Sequence, residues 1–212
     1  MASFAEDQGI LFSGDAFGGF SIPPTLFDDS EDVVNSFMQF SRKYFITIIG
    51  HYRQHVLKGV EKLGKLGIKP RIIAPAYGLI WRRQPEKIVE AYRQWALGTP
   101  VKGKVVIVYF SAYDAVERVI GIIVDELTNR GLQVKTYGFT DVGCPILGNV
   151  LADIVDAEAL VVGFSTYEAS VSLVAEASLS AIESKAAYKK FAAVIVLYGV
   201  GASSWQEGCR ET

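Results

Sequence analysis

The chain has 212 residues, half of them hydrophobic and 21% charged, with a formal net charge of −2. That length buries a sizeable core as one large domain or two small ones, and the composition lies far from that of disordered chains. A charge so near balance, with no Lys/Arg cluster beyond two or three residues, gives no field for drawing in nucleic acid or anionic lipid, and neither is an expected partner.

The two cysteines, Cys144 and Cys209, lack the short spacings of zinc or iron–sulfur sites and read as free thiols in a reducing cytosol. The opening stretch MASFAEDQGILFSGDAF carries two early acids and no basic flank, so it does not read as a secretory signal. No apolar run approaches the roughly 18 residues of a membrane span. The expectation is a soluble, cytoplasmic protein.

In chain order, GILFSGDAFGGF reads as a strand entering a tight loop that holds Asp15. From Glu31 to Ile49, the residues Val33, Phe37, Phe40, Tyr44 and Ile48 recur at helical steps, with Ser30 as N-cap. Val56, Val60 and Leu63 mark a second helix ending in glycines, KPRIIAPAYG a short strand, and Ile88, Tyr92 and Trp95 a third helix. The linker candidate is LGTPVKG, Leu97 to Gly103. The rhythm changes after it. KVVIVYF, LQVKTYGF, ALVVGFS and AAVIVLYG read as strands, with one helix through Val119, Ile122, Ile123 and Leu127 and another in VSLVAEASLSAIES. Strands apolar on both faces and alternating with helices predict a four-stranded parallel sheet in a doubly wound α/β domain.

In such sheets ligands sit at the carboxyl ends of the strands. The loops to examine are YFSAYDAVER, GFSTYEAS and LYGVGASSW. The first opens a helix, whose N-terminus suits a phosphate, and Tyr113, Tyr167 and Tyr198 suit a flat aromatic ring. The competing assignment makes these tyrosines half-buried packing residues. His51 and His55, spaced i, i+4, have no acid or cysteine close by and read as a solvated or packed pair.

The stretches LFSGDAFG, APAYGLIW, PEKIVEAYRQWA and KVVIVYFSAYDAVERV resemble the A-type flavoproteins, or flavodiiron proteins. That resemblance implies a di-iron, metallo-β-lactamase-like domain followed by a flavodoxin-like domain carrying FMN. Here residues 1–98 would be a partial metallo-β-lactamase-like segment and 103–212 a C-terminally shortened flavodoxin-like domain. By resemblance Asp15 matches the carboxylate that bridges the irons, whereas Tyr77 stands where the motif APxHG has histidine. With the ligand-rich earlier segment absent, the expectation is FMN without a di-iron centre, and no catalytic residue is assigned.

For FMN, Ser111, Tyr113 and Glu117 match the pattern SxYGxTE, with Asp114 in place of glycine and Val116 in place of a hydroxyl residue. Gly163, Thr166 and Tyr167 match GxPTY, with Ser165 for proline; Tyr198 and Gly199 match SYGW, with Val200 for the aromatic. The cofactor-binding candidates are thus Ser111, Tyr113, Thr166, Tyr167, Tyr198 and Gly199, and the metal candidate is Asp15. The implied function is FMN-binding electron transfer in a relative of oxygen and nitric oxide reductases. Its alternative is a non-catalytic, flavin-free interaction or scaffold module. With the fifth strand missing, the sheet edge calls for another subunit, so the expected partners are a second copy in a homodimer, a redox protein, or a complementary N-terminal chain.

Overall fold

A computed structural model describes residues 2–168, 170–186 and 188–198 of the chain. It divides into two units, Met1–Thr99 and Pro100–Thr212.

In the first unit, β1 (Ser3–Ala5) pairs antiparallel with β2 (Ile10–Gly14), and β2 pairs parallel with β3 (Ile72–Pro75). Helix α1 (Glu31–Tyr44) runs into a π-helical segment, Phe45–Ile49, and a 3-10 turn, Gly50–Tyr52, before α2 (Arg53–Lys65). The buried face of α1 is Val34, Phe37, Ser41 and Tyr44, one step round from the expected stripe, and Phe40 and Ile48 are exposed. The π-helical turn accounts for part of this. Its extra residue per turn shifts the phase, so Phe45 and Ile46 become the buried pair.

Helix α3 (Pro85–Leu97) follows the sequence pattern closely. Pro85 occupies the first turn, Ile88, Tyr92 and Trp95 face inward, and Gly98 closes the helix in the left-handed conformation. Aromatic rings pack against it: Tyr92 lies 5.2 Å from Phe45, 5.0 Å from Phe17 and 5.4 Å from Trp95 between centroids. Entry to α3 is fixed by Asp28. Its buried carboxylate accepts hydrogen bonds from the backbone N–H groups of Arg82, Arg83 and Gln84, the work an N-cap side chain usually does.

The second unit holds a four-stranded, all-parallel sheet in the order β5-β4-β6-β7: β4 (Val101–Ser111), β5 (Gln133–Thr140), β6 (Ala157–Ser165) and β7 (Phe191–Leu197). Helices α4 (Ala115–Asn129), α5 (Leu147–Ile154) and α6 (Leu173–Ala186) complete it. The strand order and parallel sense are those of a flavodoxin-like sheet, the fold the family resemblance implied. Val106, Ile107 and Val108 of the central strand are fully buried, consistent with cover on both faces. The linker is shorter than expected, because Val101 to Gly103 already belong to β4, with Val101 paired to Ala157.

On one face, α4 closes a core of Val105, Ile107, Val116, Ile120 and Val161. The expected stripe of α4 was turned outward at one position, where Ile122 is exposed. Gly163 makes this packing possible, since a Cβ there would come within 3.0 Å of Ile120. At the opposite ends of the strands lies a buried ionic group. Lys104 Nζ meets Asp153 at 3.1 Å and Asp156 at 2.5 Å, and Lys190 Nζ donates to the carbonyls of Val155 and Ala157.

Candidate functional site

Each βα loop of the second unit starts where a buried strand ends, so the sheet collects the predicted residues at its carboxyl edge. Ser111 is the last residue of β4 and is buried, and among the described residues its hydroxyl has no hydrogen-bond partner. Tyr113 is 91% exposed. Next to it Asp114 takes the left-handed conformation, φ 55°, immediately before α4. A glycine adopts that conformation without strain, whereas an aspartate carries its Cβ into it at a cost of about 1–2 kcal/mol.

Glu117 accepts a hydrogen bond from the Tyr109 hydroxyl at 3.0 Å, and burial, followed by that bond, holds the phenol above its usual range. Val116 lies in the α4 core, 1% exposed. Its side chain packs into that core.

The loop after β6 is a tight turn in which Tyr167 and Ser170 exchange backbone hydrogen bonds at 2.8 Å, with Glu168 at φ 49°. It leaves Tyr167 63% exposed, and the Thr166 N–H is tied to the Leu197 carbonyl, which binds this loop to the end of β7. Tyr198, just beyond β7, is 60% exposed. Gly199, Val200, Trp205 and Cys209 lie outside the described residues.

Two clefts open at this edge. One, of about 200 Å³, is lined by Ser111, Phe110, Phe139, Cys144, Ser165 and Tyr167 among others. The second is lined by Ala115, Ser165, Thr166, Val196, Leu197 and Tyr198. Thus Ser111 and Tyr167 share one cleft, Thr166 and Tyr198 the other, and Ser165 borders both. Sequence reasoning missed Phe110, Phe139 and Cys144 as lining residues. The first two form a stacked pair, 4.8 Å between centroids, from paired positions of β4 and β5. Pairing of Phe110 with Phe139 depends on strand order, which no local signal carried.

In the first unit, Asp15 is exposed, just after β2. Tyr77 packs edge-on against Phe20 at 5.2 Å, and Phe20 packs against Tyr44 at 4.7 Å. Burial, with the Asp15 carboxylate and Tyr77 adding to it, pushes the Tyr44 phenol up to about 12. Gly78 is needed here, because a Cβ at its φ of 87° would lie 2.4 Å from the Phe37 ring. Among the described residues, no three His, Cys, Asp or Glu side chains gather as a metal site needs. His51 and His55 do not share one helix, since His51 lies in the 3-10 turn, and their rings flank Tyr52 at 5.4 and 6.2 Å.

These features define an α/β protein whose parallel sheet presents loop-lined clefts at its carboxyl edge. No family model matches the chain. A variant of the flavo di-iron protein from Thermotoga maritima is similar to it in structure, with a TM-score of 0.89 and 39% identity over 94% of this chain and 50% of that one. The rubredoxin oxygen:oxidoreductase from Desulfovibrio gigas gives a TM-score of 0.86 at 26% identity, over 95% of this chain and 49% of that one. A nitric oxide reductase from Moorella thermoacetica is 30% identical over 166 residues, 78% of this chain and 40% of that protein. The chain is homologous to the flavodiiron proteins, or A-type flavoproteins, and spans half or less of the length of these relatives. Among the described residues no helix is long and apolar enough to cross a membrane.

Proposed function

We propose that the carboxyl edge of the second unit's sheet binds FMN and that the chain is an electron-transfer flavoprotein without di-iron chemistry. Ser111 carries this reading. Among the described residues its buried hydroxyl lacks a partner, and an unsatisfied buried group costs about 1–3 kcal/mol unless a ligand atom completes it. The residues fit the group: Ser111 and the backbone around Tyr113 at the start of α4 would hold the phosphate, and Thr166, Tyr167 and Tyr198, with Gly199 by resemblance, would hold the ring. Bound there, the flavin supplies the electron-carrying chemistry. Tyr167 and Tyr198 then remove their own exposed faces from water and keep water from the ring.

The residues of the first unit do not fit two irons. Tyr77 offers a phenol where the resemblance calls for imidazole, and its ring is engaged with Phe20. Asp15 would hold at most one weakly bound cation. The reading includes a cytoplasmic homodimer, isologous as the commonest symmetric solution, that exchanges electrons with a redox protein. A complementary N-terminal chain remains part of the same proposal.

One observation favours the flavin-free interaction module. Asp114 sets a carboxylate at the N-terminus of α4, where it repels a phosphate. The absorption spectrum of the purified protein and an FMN titration followed by flavin fluorescence separate the two. Saturable quenching is expected; no quenching at any protein concentration overturns the flavin reading and leaves the interaction module. Light scattering that finds a monomer at micromolar concentration overturns the dimer.

A further inference from the structure

Cys144 belongs to the loop between β5 and α5, which none of the flavin-loop motifs includes. Thr140, the last residue of β5, folds that loop back: its hydroxyl accepts hydrogen bonds from the N–H groups of Val142 and Gly143, and its N–H donates to the Gly143 carbonyl at 2.9 Å. The turn delivers Cys144 to the cleft lined by Ser111, Phe110, Phe139 and Tyr167, where it is a free, exposed thiol. Ser111 provides the independent sign that this cleft takes a ligand, since it is 7% exposed and its hydroxyl has no partner among the described residues. Cys144 is one of the residues lining this cleft of about 200 Å³, so a group added to its sulfur has the cleft within reach.

We propose that Cys144 is a thiol-modification site whose occupation competes with the ligand of the carboxyl-edge cleft, so that small disulfides of the glutathione class switch flavin binding off. This rests on the flavin reading. In the step, Cys144 loses its proton to solvent and the thiolate Sγ attacks one sulfur of the disulfide. A Cys144–sulfur bond forms, the old S–S bond breaks, and the other half leaves as a thiolate carrying the electron pair. One disulfide bond replaces another with no net oxidation: the Cys144 sulfur is formally oxidised by one electron, the leaving sulfur is reduced by one, and Cys144 and the half it captures emerge as a mixed disulfide. The added group lies against the Phe110–Phe139 pair and Tyr167, and reduction by excess thiol restores the cleft.

The test uses the full chain with Cys209→Ser, which leaves Cys144 as its one thiol, and dithiobis(nitrobenzoate) as the disulfide. One equivalent of thionitrobenzoate is expected, released about tenfold more slowly when FMN is present at ten times its Kd, by mass action. The modified protein is expected to lose FMN quenching and to regain it with dithiothreitol, while Cys144→Ser keeps its quenching through the same treatment. Three results overturn the inference while the flavin reading stands: FMN binds the unmodified protein but gives no protection, the modified protein binds as before, or the thiol does not react. No binding by the unmodified protein overturns the flavin reading, and this inference with it.

Discussion

The two units use their apolar residues differently. In the second, the central strand is buried through Val105, Val106, Ile107 and Val108, and the parallel ladder to β5 runs without a shift from Lys104 to Ser111. In the first, β2 alternates: Leu11 and Ser13 are buried, Phe12 is 49% exposed, and the register slips between Phe12 and Gly14. Helix α2 buries no residue at all, and a groove lined by Val56, Val60, Leu63, Leu11 and Phe17 lies beside it. Order in the first unit comes instead from the aromatic cluster on α3 and from Asp28. Apolar composition alone does not make a core; the faces must meet.

The sharpest way to break that comparison is to separate the units. Residues 100–212 expressed alone are expected to unfold in one cooperative transition, and residues 1–99 to show no such transition as a monomer, by calorimetry or denaturant titration. A cooperative residues 1–99 would remove the distinction. Next in size is Lys104→Met, which removes the cation that Asp153 and Asp156 share, while Lys135 stays paired with Asp153 at 2.6 Å. Leaving a buried charge wholly unpaired costs about 3–5 kcal/mol, so with Lys135 in place the lower end, about 3 kcal/mol, is expected in the denaturation midpoint.

A smaller effect, of opposite sign in the two units, appears at alkaline pH. Burial lowers Lys190 to about 8, against a weaker upward pull from Asp156. The folded state thus releases this proton more readily than the unfolded chain, and the cost of burying the charged amine disappears as pH rises through 8 toward the unfolded value. The Tyr44 phenol, raised to about 12, does the reverse: folding holds its proton, and the stability this lends is lost from the unfolded value of about 10 upward. Lys190→Met should abolish the rise between pH 8 and 10, and Tyr44→Phe should flatten the fall above it, both in denaturation midpoints against pH. The smallest effect is expected from Asp114→Gly, which relieves the left-handed strain by about 1 kcal/mol and removes a repulsive carboxylate, so that FMN quenching saturates at lower concentration. Unchanged affinity would show that Asp114 does not face the phosphate position.

Helix α3 was legible because its signals are local: Pro85 at the start, Gly98 at the end, and Ile88, Tyr92 and Trp95 on one stripe. Helix α5 was missed because Val150, Leu151, Ala152 and Ile154 are all buried, and a short helix enclosed on several sides shows no stripe. The candidate site was legible in part. Ser111, Thr166, Tyr167 and Tyr198 could be placed at strand ends because long apolar runs fix where strands stop. A position in the first turn of α4, such as Val116, can face either the loop or the core, and its packing beside Ile120 and Gly163 sends it inward.

The sequence by itself determined the alternation of strand and helix in the second unit, and with it the parallel sheet and the edge at which its loops gather. Periods, caps and breakers act over a few residues and need nothing from the rest of the chain. Tertiary structure alone decided the order β5-β4-β6-β7, the pairing of Phe110 with Phe139, and the meeting of Cys144 with Ser111 in one cleft. These join residues some 30 positions apart, and which strands become neighbours is settled by how helices cover the two faces of the sheet, an interaction no short stretch of chain records.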